Sequence, residues 1–130
     1  MMNELTQKWL PLNISDGAYD VGGISWNEIG ITFTIVSDER HKEPALFHLT
    51  WNHGCLIAYH VTDETYRADC WKKDLNAGGR FYVSSNSAYI EMMREKSPLF
   101  PDRVLHFLLI GTNTIVDILA NDYPTVEPVG

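Results

Sequence analysis

Ile31, Phe33 and Ile35 alternate with Thr32 and Thr34, the period-two pattern of a strand with one face buried and the other wet. This predicts a strand from Gly30 that ends in the charged stretch Ser37 to Pro44, where proline restricts the residue before it. Phe47, Leu49 and Trp51 alternate with His48 and Thr50, and the run from Cys55 to Val61 alternates again. A loop of Asn52-His53-Gly54 between them predicts a hairpin, with Gly54 supplying a positive φ. Phe81-Tyr82-Val83 reads as a short strand. Ser84 to Ser87 then offers side chains that accept from the free N–H groups of a helix over 88–96, with Tyr89, Met92, Met93 and Lys96 on its core side.

Val104 to Ile110 is apolar with little alternation, as expected of a strand covered on both faces. Thr112-Asn113-Thr114 reads as a helix cap, Thr114 and Asp117 as an approximate capping box, and Ile115, Ile118 and Leu119 as the apolar stripe of a closing helix. On that reading Asp117 is a solvent-facing carboxylate in the first helical turn, and Asn121 and Pro124 end the helix. Residues 1–28 are broken up by Pro11, Gly17, Gly22 and Gly23 and predict no firm element. The polar stretch after Thr62 suggests a strand tail, a short helical turn and a glycine stop. The sum is an α+β fold: an antiparallel sheet of about five strands with at least two helices packed on it.

Neither a repeat nor a Pro/Ser-rich linker interrupts the 130 residues, so residues 1–130 are expected to form a single domain. A chain of this length buries roughly two thirds of its unfolded surface. Seventeen acidic residues against ten basic ones leave a net charge of −7, and the longest basic run is Lys72-Lys73. That balance speaks against nucleic acid and for a basic protein partner, whose approach an acidic surface accelerates. The start lacks a basic segment followed by an apolar one, and no apolar run approaches the length of a membrane span, so a cytoplasmic protein without membrane contact is expected. Cys55 and Cys70 lie in no C-x-x-C and are expected to be free thiols.

Histidines would give the sharpest chemical signal. If the loop is Asn52-His53-Gly54, His48 opposes Ala58 and His60 opposes Leu46, which places both histidines on one sheet face; one more loop residue sends them to opposite faces. Neither H-E-x-x-H nor paired C-x-x-C occurs, and neither G-x-S-x-G nor a phosphate-cradling glycine loop is present, so no metal site and no cofactor is expected.

The blocks FYVSSNSAYIEMMREKS and HFLLIGTNTIVDILANDYPTVE resemble small bacterial immunity proteins of polymorphic or contact-dependent toxin systems. These pair an aromatic strand and a S-x-Y-I helix with a closing strand-helix around a D-[IV]-L core. The matching positions are mainly scaffold, so no functional residue carries over. The resemblance implies a protein that neutralises a cognate toxin by direct binding, without catalysis of its own.

Interface energy concentrates in aromatic anchors ringed by polar groups, and the chain holds four Trp, six Tyr and five Phe. Trp26, Tyr66 and Trp71 are the candidate anchors, set among Asn27, Glu28, Asp63, Glu64 and Asp69. Two other functions stay open: a small hydrolase-like enzyme using His48 or His60 with nearby carboxylates, and a homodimeric structural module. A deep pocket joining the histidines would favour the enzyme, and a large symmetric apolar interface the dimer.

Overall fold

The computed structural model describes residues 6–9, 11, 19–37, 47–67 and 81–128. The α+β expectation is overturned: the described residues are mostly β, 59% strand, with one short helix among them. One antiparallel sheet has the order β1(Thr6–Lys8), β6(Phe81–Ser84), β7(Leu105–Ile110), β8(Thr114–Ala120), β5(Leu56–Asp63). The other has the order β2(Tyr19–Trp26), β3(Gly30–Ser37), β4(Phe47–Asn52), β9(Thr125–Pro128). The two sheets close on one core.

Alternation decides which side chains enter that core. Ile31, Phe33 and Ile35 of β3 and Phe47, Leu49 and Trp51 of β4 meet Phe81, Val83, Phe107, Leu109, Val116, Ile118 and Ala120 from the five-stranded sheet. Phe107 is the hub, with ring centroids of Trp9, Trp51 and Tyr123 at 5.1, 5.1 and 5.3 Å. The outer face of the four-stranded sheet carries Thr32, Thr34, His48 and Thr50, half-buried.

The closing helix is in fact β8. Ile115, Ile118 and Leu119 satisfy a helical stripe, but in the strand Val116, Ile118 and Ala120 face the core while Ile115, Asp117 and Leu119 face outward and are buried too. Three β-branched residues in a row of six favour the strand, and burial on both faces removes any need for a polar side. Thr112-Asn113 is correspondingly no cap. It is the two-residue turn of the β7–β8 hairpin, closed by Gly111 N–H donating to Thr114 O at 2.8 Å.

The expected hairpin of β4 with β5 also fails. β4 pairs with β3 and β9, while β5 pairs with β8. The chain crosses between sheets in the tight turn after Asn52, whose carbonyl accepts from Cys55 N–H at 2.9 Å. Cys55 is half-buried in that turn and not in an inward strand position. Where no firm element was expected, β1 and β2 each form a sheet edge.

The helix α1(Ala88–Glu95) starts as anticipated, with Ser87 as its N-cap. Its core side differs. Ile90 is buried against Val104 and Leu119 on the outer face of the five-stranded sheet, with Tyr89 and Met93 beside it, whereas Met92 and Lys96 face solvent. The helix covers a sheet and so turns a narrow stripe, centred on Ile90, toward it.

Gly30 has no room for a side chain. A Cβ there would sit 2.0 Å from Trp51 O and 2.9 Å from Asn52 Cα, which forces two paired backbones apart. Gly30→Ala is expected to cost about 2–3 kcal/mol, the upper part of the overpacking range. Urea unfolding checks this, with Gly23→Ala as a control, since a Cβ there meets only Thr34 Cβ at 4.0 Å.

Candidate functional site

Two groupings of side chains stand out: a buried polar chain on the outer face of the five-stranded sheet, and a group of exposed apolar side chains around Trp26. The first comes from strand pairing. His106 pairs with Leu119 and Asp117 pairs with Leu108, so His106 and Asp117 are diagonal neighbours on one face. His106 Nε2 lies 2.7 Å from Asp117 Oδ1, and its Nδ1 lies 2.7 Å from Ser87 Oγ. Arg67 NH1 donates to Asp117 Oδ2. A carboxylate only accepts, so in the neutral ring Nε2 carries the hydrogen and Nδ1 takes the proton of the Ser87 hydroxyl. Ser87 Oγ in turn accepts Ile90 N–H at 3.2 Å.

Helix start, serine, imidazole, carboxylate and guanidinium thus form one line of donors and acceptors. Its composition imitates a catalytic triad, but its geometry does not. Ser87, His106 and Asp117 are all buried, the serine oxygen is committed to capping α1, and the Tyr89 ring edges against His106 with centroids 5.4 Å apart. No substrate carbonyl reaches that oxygen without removing the helix. The chain is a clamp that fastens α1 and Arg67 to the sheet.

Asp117 is therefore not the solvent-facing carboxylate anticipated. Burial pushes its carboxyl up, but hydrogen bonds from His106 and Arg67, with the positive charge of Arg67, outweigh burial and hold it below the ordinary carboxylate range. Tyr89 is pushed up by burial and by the Asp117 charge. A carboxylate depressed in the folded state contributes stability that is complete above its unfolded value near 3.9 and is lost as pH falls through the folded value. The urea midpoint of the protein is expected to drop below about pH 4 more steeply than that of Asp117→Asn, which lacks this ionisation. Parallel slopes for the two proteins would contradict the assignment.

The second grouping is exposed. Trp26 pairs with Ile31 and Ile24 with Phe33, so both point toward the interior side of β2. That strand is a sheet edge, however, and both remain exposed, as do Ile29 and Val61. Trp26 is 53% exposed yet fixed: its Nε1 donates to Tyr59 OH at 3.2 Å, and the His53 ring stacks on it at 5.6 Å and 13°. His53 is itself held, with Nε2–H donating to Asn27 O at 2.7 Å and its backbone N–H to Ile29 O at 3.0 Å. Asn27 Oδ1 accepts from Ile29 and Gly30 N–H, so the β2–β3 turn is rigid and presents Glu28 and Ile29 to solvent.

Of the anticipated anchors, Trp26 and Glu28 lie together here, both exposed. Asp63 is at the far end of β5, where its carboxylate accepts Thr65 N–H at 2.9 Å and so opens the 3-10 turn Glu64–Tyr66; that bond holds its carboxyl below the usual range. Glu64 begins this turn, and Tyr66 projects from it, 79% exposed. Asp69 and Trp71, like Cys70, lie outside the described residues. His48 and His60 do not meet. They lie on the outer faces of different sheets, His48 opposite Thr34 and Glu127 and His60 opposite Asp117, at least about 10 Å apart across the sandwich.

Among the described residues, no group of three or more His, Cys, Asp or Glu could hold a metal ion, and no helix is long and apolar enough to cross a membrane. No family model, curated protein or solved structure matches the chain.

Proposed function

We propose that this protein acts by binding a basic protein partner through the exposed surface around Trp26, and that it neutralises a cognate bacterial toxin in this way. Trp26 carries the reading: a large aromatic side chain, exposed, and already fixed by Tyr59 and His53. Ordering a rotamer-rich side chain on binding costs about 0.5–1.5 kcal/mol, and here that order exists beforehand. Aromatic anchors of this kind dominate interface energetics. Glu28 stands two residues from Trp26 on the β2–β3 turn, and the chain carries a net charge of −7, which favours a basic surface and penalises an acidic one. The toxin as partner rests on the resemblance of residues 81–97 to immunity proteins, since the closing strand-helix of that resemblance is here a pair of strands.

The enzyme reading loses its main premise with His48 and His60 on opposite outer faces. The test of the binding reading is a mixture of this chain with the toxic domain encoded beside its gene. A one-to-one complex is expected on size-exclusion chromatography, with toxic activity lost at equimolar ratio. Glu28→Lys is expected to slow association about tenfold at low salt and much less at high salt, because a rim charge acts chiefly on encounter. No complex at micromolar concentration refutes the proposal.

A further inference from the structure

We infer that the partner docks by adding an extended, lysine- or arginine-bearing strand to the free edge of β2, between Gly23 and Trp26. The inference rests on the partner-binding reading and names its mode. Among the described residues, β2 ends the four-stranded sheet with nothing paired on its far side. An edge of this kind is a template for another chain unless it is blunted by shortness, proline or charge.

The other edges are blunted or bent. β1 has three residues and ends in Lys8; β9 has four and contains Glu127 and Pro128. β5 is irregular between Leu56 and Ala58 and ends in Asp63, whose carboxylate is taken by the following turn. In β2 the irregularity falls early, between Val21 and Gly23, and Gly23 to Trp26 then run in unbroken register with Thr34 to Ile31. Gly23 carries no side chain to hinder an approaching backbone. Ile24 and Trp26 offer apolar contact for every second residue of an added strand, the spacing that strand-addition sites use for specificity.

Charge selects the occupant. The edge strand and its turn carry Asp20 and Glu28, and there is neither lysine nor arginine across residues 19–37. A second copy of this chain would bring another acidic edge from a molecule of net charge −7, and like charges brought together are unfavourable. A strand alternating cationic with apolar or neutral residues fits both the exposed Ile24 and Trp26 side chains and the negative charge.

The experiment is amide exchange by NMR on the full chain, with the peptide Lys-Thr-Lys-Val-Lys-Thr-Lys at millimolar concentration and its glutamate counterpart as the comparison. The lysine peptide is expected to slow the outward amides of 23–26 about fivefold, as new backbone hydrogen bonds do, and the glutamate peptide to leave them unchanged. Ile24→Lys, an exposed substitution, is expected to abolish the effect while the rest of the exchange pattern stays native. Slowing over 56–63 instead would place the added strand on β5 and overturn the inference. So would no slowing at either edge, equal slowing by both peptides, or protection that grows with the protein's own concentration. If the lysine peptide fails while the toxic domain still forms its complex, strand addition is wrong and the binding reading stands. If the domain forms none, the binding reading itself is lost.

Discussion

Asp117→Asn is expected to lower the unfolding free energy by about 3 kcal/mol, because breaking a buried charged pair from one side costs about 3–5 kcal/mol. The lower end applies because the Arg67 side chain keeps 17% of its exposure while Asp117 keeps 5%. The asparagine oxygen still accepts from His106, so the lost quantity is the charge that Arg67 was attracted to. A double variant separates the two costs. Arg67→Met with Asp117→Asn is expected to recover much of the loss, since apolar replacement of a buried pair is often neutral. Additive losses in urea titrations would mean that the two side chains do not act as a pair.

Phe107→Ala is expected to cost about 4 kcal/mol, within the range of about 3–5 kcal/mol for emptying a buried phenylalanine site. The ring is fully buried and meets Trp9, Trp51 and Tyr123, which come from different parts of the chain. Trp51 also donates from Nε1 to Asp122 O at 3.2 Å, so the indole is anchored and does not move readily into the hole. The urea midpoint should fall without change in the slope against denaturant. A loss below about 1 kcal/mol would show that the surrounding aromatics collapse into the space.

The strands around Ile31, Phe47, Phe81 and Leu108 and the helix beginning after Ser87 were legible because each has one periodicity and one set of flanking signals. Thr114 to Ala120 was not. Its apolar positions satisfy both a helical stripe and a strand buried on two faces, and only tertiary burial separates these. Reading Thr112-Asn113 as a hairpin turn would have set His106 and Asp117 diagonally on one face, so the signal for the clamp was present. Arg67 could not be assigned to it from the sequence, since its approach to Asp117 depends on β5 pairing with β8. The hairpin of β4 with β5 failed for a related reason: alternation says which residues share a face but not which sheet a strand joins. Trp26 and Glu28 were found by residue type alone; the meeting of Trp26 with His53 and Tyr59 depends on contacts across the sheets.

The proposed function puts the binding energy on a fixed, exposed Trp26 beside Glu28 and gives the buried ionic chain a scaffold role. Titration calorimetry of Trp26→Ala against the toxic domain tests it, beside the urea midpoint of the same variant. Loss of a central aromatic anchor is expected to weaken the complex at least about thirtyfold, the equivalent of 2 kcal/mol, with little change in the midpoint. Unchanged affinity with the midpoint intact would contradict the claim.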